Sequence, residues 1–177
     1  IIEGFTITNG DHESKGGGMY NYDSSPTLTN CRFTNNDIIF FGAGMYNENS
    51  SPSLTNCIFT YNDCIEGGGM YNENSSPILT DCSFEHNTAI NGNGNGTGGG
   101  ITNAESSNPI LIGCIIKNNT TGYIPGGGGM YNYSDSSAML TNTVVCGNLH
   151  DQISGDWTDN GGNVVADECP ECPDING

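Results

Sequence analysis

The chain has 177 residues, with three basic side chains (Lys15, Arg32 and Lys117) against twenty acidic ones and a formal charge of −17. That length suits one domain with a sizeable core. The charge excludes a nucleic-acid partner, since phosphate binding needs clustered Lys and Arg, and the absence of any run of about 18 apolar residues excludes membrane insertion.

Ile1 to Gly10, with Phe5-Thr6-Ile7-Thr8-Asn9, reads as the tail of an earlier coil, so the chain is expected to be a processed or partial product. Gly16-Gly17-Gly18-Met19-Tyr20-Asn21 follows. It returns at Gly42 to Asn47, Gly67 to Asn72, Gly98 to Asn103 and Gly127 to Asn132, with steps of 26, 25, 31 and 29 residues between the Met positions. A second block trails each first one: Pro26 to Asn36, Pro52 to Asn62, Pro77 to Asn87, Pro109 to Asn119 and Ala138 to Asn148. Asp156 to Val165 reads as a degenerate final copy. Self-similarity at such a period marks a solenoid.

Within each copy the apolar residues alternate in short pieces, such as Cys31 and Phe33 around Arg32. Gly, Asn, Asp or Pro interrupts every four to six residues, too often for a helix to nucleate. The pattern predicts an all-β, right-handed parallel β-helix with about three short strands per coil. Five full coils and partial terminal ones span residues 1–166, and a Cys/Pro-rich tail spans 167–177. One coil cannot satisfy its own backbone, so each must pair in parallel with its neighbours, and parallel crossovers are almost always right-handed. The longest insert, Thr88 to Thr97, with Asn91-Gly92-Asn93-Gly94-Asn95-Gly96, is expected as a mobile loop on one edge, with Thr120 to Pro125 beside it.

Equal offsets then become columns. Leu28, Leu54, Leu79, Leu111 and Leu140 should form one interior column. Phe33, Phe59, Phe84, Ile116 and Val145 should form a second, and Met19, Met45, Met70, Ile101 and Met130 a third. Asn21, Asn47, Asn72, Asn103 and Asn132 are expected as an asparagine ladder at a bend, with Asn36, Asn62, Asn87, Asn119 and Asn148 as a second ladder. The Gly triplets fall where positive φ or close coil-to-coil approach is needed.

Cys31, Cys57, Cys82 and Cys114 share one column, which Thr143 completes. Stacked strands hold Cβ atoms about 4.8 Å apart, wider than the roughly 3.8 Å of a disulfide, and a column cannot surround a tetrahedral metal. These thiols should therefore pack as small apolar groups. Cys169 and Cys172, in Cys169-Pro170-Glu171-Cys172, are read as a terminal clamp: a disulfide with each other, or from this segment to Cys146 or Cys64. Tyr20, Tyr46, Tyr71 and Tyr131 follow the inward Met, so they should face outward. That column would either stack sugar rings or stabilise the sheet by cross-coil contact. Asp23, Glu48, Glu73 and Asp135 lie a few residues further on, as a solvated acidic edge or as calcium ligands between coils; no other cofactor is expected.

Catalytic residues are harder to place. A β-helix lyase needs a basic residue to take the proton α to a uronate carboxylate, and Arg32 has no ladder partner of like charge. Hydrolases need convergent carboxylates, whereas the acids here recur singly. His12, His86 and His150 are spread over different coils.

The paired Gly-Gly-Gly-Met and Phe-x-x-Asn signatures resemble the repeats of polymorphic outer membrane proteins and the broader pectin-lyase-like β-helix proteins of bacteria. The likeness covers about residues 1–166. It implies the fold and a mixed set of roles, including adhesins, autotransporter passengers and polysaccharide lyases. The end, Cys172-Pro173-Asp174-Ile175-Asn176-Gly177, is similar to the entry of a dockerin-type calcium loop, with Asp174 and Asn176 at its first two ligand positions. The expectation is a non-catalytic extracellular or cell-surface module, structural or adhesive, whose partner is a surface polysaccharide or a second copy stacked end to end into a filament. The alternative is a polysaccharide-acting enzyme or carbohydrate-binding domain.

Overall fold

The computed structural model describes residues 1–11 and 14–170. Among these the regular structure is strand alone, and every strand pairing is parallel. One sheet runs through Ile2–Glu3, Thr27–Thr29, Ser53–Thr55, Ile78–Thr80, Ile110–Ile112, Ala138–Thr141 and Trp157–Asp159. A second, the Met-Tyr-Asn sheet, runs through Met19–Tyr22, Met45–Glu48, Met70–Glu73, Ile101–Ala104, Met130–Asn132 and Ile153–Ser154. The third carries the Phe column, from Thr6–Thr8 and Arg32–Thr34 to Val144–Cys146 and Val164–Ala166. The chain visits the three in turn, which makes each circuit one coil of a right-handed parallel β-helix.

The expected columns are in register. Leu28 pairs with Leu54, Leu79 with Leu54 and Leu111, and Phe59 with Phe33 and Phe84. Met45, Met70 and Ile101 stack likewise. All of these are fully buried. The phenyl rings of Phe33, Phe59 and Phe84 stack at 4.6 Å between centroids and within 3° of parallel. Such alignment follows because each coil repeats the same backbone turn, so equal side chains take equal rotamers.

Both asparagine ladders form, with one change of place. The Asn36 column sits at a bend and is doubly tied. Each Nδ2 donates to the Oδ1 of the next asparagine at 2.9–3.0 Å and to a carbonyl of the coil before, and Gln152 closes the top. The Asn21 column, expected at a bend, lies inside the Met-Tyr-Asn strands. There the two-residue alternation turns Asn inward after Met, and the amides link at 2.7–2.9 Å. Both ladders put buried amides in contact with other amides, which meets the need for every buried polar group to be paired.

The Gly runs serve both expected purposes. Their first residues have positive φ, for example +65° at Gly42, and a Cβ on Gly69 would stand 2.6 Å from the Gly100 carbonyl oxygen of the next coil. Beyond the three sheets there is a short fourth, Asp63–Cys64, Thr88–Ala89 and Thr120–Thr121. It arises where the inserts begin, because the first residues after the second asparagine ladder still lie over one another. The two long inserts do pack together, with Gly122 against the Gly94 backbone.

The last coil is held by a disulfide between Cys146 and Cys169. Cys169 therefore bonds the body of the helix, one of the expected alternatives. Cys172, Asp174 and Asn176 lie outside the described residues, as does His12.

Candidate functional site

The cysteine column is a packing feature. Cys31, Cys57, Cys82 and Cys114 are buried and free, and each thiol donates to the carbonyl two residues back at 3.4–3.6 Å. Thr143 repeats that bond through its hydroxyl at 3.1 Å. Among the described residues no group of three or more His, Cys, Asp or Glu side chains is placed to hold a metal ion. Of the acids on that edge, Asp135 accepts from the Ser106 amide at 3.0 Å, while Glu48 and Glu73 accept from tyrosines and share Lys15 at 3.0 and 3.7 Å.

The tyrosine column differs from the expected open strip. Tyr20 is 46% exposed, but Tyr46 is fully buried and Tyr71 only 8% exposed. They are covered because the residues just before each Gly run, Lys15, Phe41, Glu66 and Thr97, bridge coil to coil in a row of their own beside the sheet. Phe41 packs 5.0 Å from the Tyr71 ring, and the rings of Tyr46 and Tyr71 stack at 5.2 Å and 5°. Thr102 breaks the column by turning its hydroxyl to the Thr97 carbonyl at 2.9 Å. Tyr131 resumes it edge-to-face with Tyr133 at 4.9 Å.

Electrostatics on this face turn on one cation. Lys15 Nζ lies 4.5 Å from the centroid of the Tyr46 ring, 3.0 Å from Glu48 and 3.7 Å from Glu73. The sequence signal for this placement is the position of Lys15 three residues before the Gly-Met turn, in line with Phe41 and Glu66. Burial works against the Lys15 charge, but the Glu48 hydrogen bond and the two carboxylates outweigh it and hold its pKa above the ordinary value. Tyr20 donates to Glu48 at 2.6 Å, Tyr46 to Glu73, and Tyr133 to Glu66 at 3.1 Å. The Glu48 carboxyl is held below the usual range, chiefly by the Tyr20 hydroxyl, whereas burial pushes Glu66 up.

Beside Lys15, this face opens into a groove of about 540 Å³ lined by Lys15, Phe41, Tyr71, Glu73, Glu105 and Tyr133. That volume is within the range of small-molecule sites, about 300–1,000 Å³. A larger cleft of about 900 Å³ lies near the inserts, between Asp37, Asp63, Tyr61, Ile39 and Ile90. There Asp37 and Asp63 stack on successive coils, and burial followed by the Asp37 charge raises the Asp63 pKa. Tyr61, 58% exposed, stacks on His86 at 5.2 Å. Both hold positive φ at a bend where other coils use Asn35, Asn118 and Gly147, a departure readable from the aligned repeats but passed over.

Of the basic residues, Lys117 pairs with Glu85 at 3.4 Å and Arg32 lies exposed on the third sheet, away from both openings.

Stacked parallel coils with ladders inside and aromatic–acidic openings on the flank define a β-helix solenoid. Residues 1–169 match the family model described as "Right handed beta helix region", and the chain belongs to that family. No curated protein and no solved structure matches it.

Proposed function

We propose that the chain is a non-catalytic extracellular or cell-surface module, structural or adhesive, that presents its flank to a surface polysaccharide. The observation that carries this reading is where the basic residues lie. Proton abstraction from a uronate needs a free base beside the substrate. Lys15, the basic residue at an opening, is engaged by Glu48 and Glu73. The recurring residues are spent on inter-coil contact, and the acids of the tyrosine face serve as acceptors for phenols.

The test is incubation with polygalacturonate and alginate, with and without calcium, while following unsaturated products. None is expected. Product that disappears in Arg32→Ala would overturn the reading in favour of a lyase.

A sharper form of the same reading is end-to-end assembly. The outer edges of Thr6–Thr8 and Val164–Ala166 have no strand neighbour among the described residues, and unpaired edges template further pairing. Filaments lengthening with concentration in electron micrographs are the expected outcome for that form; short monodisperse rods at every concentration would remove it.

A further inference from the structure

The insert from Asn91 to Gly96 carries three Asn-Gly pairs in succession, and Asn9-Gly10 and Asn160-Gly161 bring the described residues to five. Such a pair can cyclise. The Gly N–H loses its proton and the nitrogen attacks Cγ of the Asn amide, unhindered because Gly has no Cβ. In a folded chain the reaction needs that N–H to be free and the segment to have room to close the ring.

The five pairs differ in both respects. Gly10 N–H donates to Asn36 Oδ1 of the second ladder, Gly161 N–H to Asp159 Oδ1 and Gly94 N–H to the Asn91 carbonyl, each at 2.9 Å. Those nucleophiles must first give up a bond. Gly96 is buried, and its carbonyl accepts from the Thr121 hydroxyl at 2.5 Å. A Cβ there would stand 2.1 Å from the Ala89 carbonyl oxygen, so its backbone has no room to swing. Gly92 is the contrary case. It is exposed, a Cβ on it would meet nothing within 4 Å, and its N–H donates to no described residue.

A second feature singles out the same pair. Asn91 Oδ1 accepts the backbone N–H groups of Asn93 at 2.9 Å and Asn95 at 2.8 Å. When a nitrogen adds to Cγ, negative charge gathers on that oxygen. Two N–H groups already aimed at it stabilise the charge as an oxyanion hole does.

We propose that Asn91 is a site of self-modification, converting through a succinimide to isoaspartate and aspartate under the loop's own pair of N–H groups. Gly92 N gives its proton to hydroxide and bonds to Asn91 Cγ. The Cγ–Nδ2 bond then breaks, and the nitrogen leaves as ammonia with a proton from water. Water opens the ring: attack at the former main-chain carbonyl carbon leaves isoaspartate, and attack at Cγ leaves aspartate. In sum, an amide and water become a carboxylate and ammonium. In the isoaspartate the freed carboxylate keeps the oxygen that accepts from Gly94 N–H, so the loop retains that bond. Asn91 and Gly92 line the 900 Å³ cleft with Asp37 and Asp63, so a modified molecule carries an added negative charge at that opening.

The experiment incubates the protein at mildly alkaline pH in heavy-oxygen water, folded in one arm and in guanidinium chloride in the other. Peptide mapping with fragmentation follows conversion at each pair. In the folded protein Asn91 should take up heavy oxygen at least about tenfold faster than Asn9, Asn93, Asn95 and Asn160. It should also react no more slowly than in denaturant, where the five pairs should convert at similar rates. Asn95→Pro removes one of the two donors and should slow Asn91 about tenfold in the folded arm alone. The comparison within the parent protein does not depend on how that variant folds. Slower conversion of Asn91 folded than unfolded, equal conversion of Asn93 or Asn95 in the folded arm, or an unchanged Asn91 rate in folded Asn95→Pro would each overturn the proposal.

Discussion

Inside the coils, Phe33, Phe59 and Phe84 stack within 3° of parallel, while on the outer face of the Met-Tyr-Asn sheet the aromatic geometry changes at every step. Tyr20 meets Tyr46 edge-on at 65°, Tyr46 meets Tyr71 flat at 5°, Thr102 interrupts, and Tyr131 turns to Tyr133 at 83°. The two sets occupy equally regular backbone positions. They differ in what lies against them. An inward side chain meets the coils above and below, which repeat; an outward one meets the segment before the Gly run, whose length and residues vary with the inserts. Inside, repetition specifies packing. Outside, it specifies position alone, and chemistry becomes local.

The largest expected effect lies on the inner side of that comparison. Asn87 Oδ1 accepts from the backbone N–H and Nδ2 of Asn62, and its Nδ2 donates to Asn119 and to the Phe59 carbonyl. Asn87→Ala strands these buried partners together. At about 1–3 kcal/mol for each unpaired group, a loss on the order of 4 kcal/mol or more is expected, a large part of a typical stability of about 5–15 kcal/mol. Denaturant unfolding measures it. A loss under about 1 kcal/mol would mean that the ladder is ornamental, and the contrast between inner and outer faces would fail.

Second in size is the clamp on the last coil. Cys169 closes a 23-residue separation to Cys146, for which chain entropy predicts about 3 kcal/mol. Because each coil contacts only its neighbours, Cys169→Ser should act locally: amide exchange should rise in Trp157–Asp159 and Val164–Ala166 and stay unchanged in Ile58–Thr60. Uniform acceleration along the chain would show instead that the rod unfolds as one unit.

A smaller and more pointed test separates two tyrosines of the outer face. Tyr46→Phe removes a bond to the Glu73 carboxylate and should cost about 1–2 kcal/mol. Tyr71→Phe removes a hydroxyl with no partner among the described residues and should cost within about 0.5 kcal/mol of nothing, or stabilise slightly. Equal losses in thermal unfolding would mean that the Glu73 bond is not what distinguishes Tyr46 from Tyr71.

This asymmetry also explains what the sequence could tell. The Leu, Phe, Met and Asn columns were legible because an inward residue's environment is its own copy one repeat away, so recurrence is the whole signal. The Tyr column was legible as a position but misread as an open strip, since its cover comes from Lys15, Phe41 and Glu66, which share a place and no residue type. For the same reason Tyr61 and His86 passed unnoticed: a site on a solenoid shows as a break in the pattern, where a costly residue replaces the Asn or Gly that the backbone favours. The disulfide partner of Cys169 was open for another reason, as the tail lies outside the repeat and has no column to fix its path.

The smallest effects concern two glutamates of the outer face whose shifts oppose each other. Glu48 is held low, so its folded pKa lies beneath its unfolded value near 4.5; the stability it contributes is present above that value and is lost as pH falls through the depressed pKa. Glu66 is raised by burial, so at neutral pH its charge opposes folding, and that penalty is relieved as pH falls from neutral through the raised pKa toward 4.5. Glu66→Gln, which can still accept from Tyr133, should therefore raise the unfolding midpoint at neutral pH, with a gain that shrinks on acidification. Glu48→Gln should lower the midpoint at neutral pH, with a deficit that closes only below the ordinary glutamate range. Comparing each variant with the parent at the same pH cancels the general relief of repulsion in a chain of charge −17. Two curves of the same sign would mean that both carboxylates are set by the overall charge, and not by the Tyr20 and Lys15 bonds at Glu48 and by burial at Glu66.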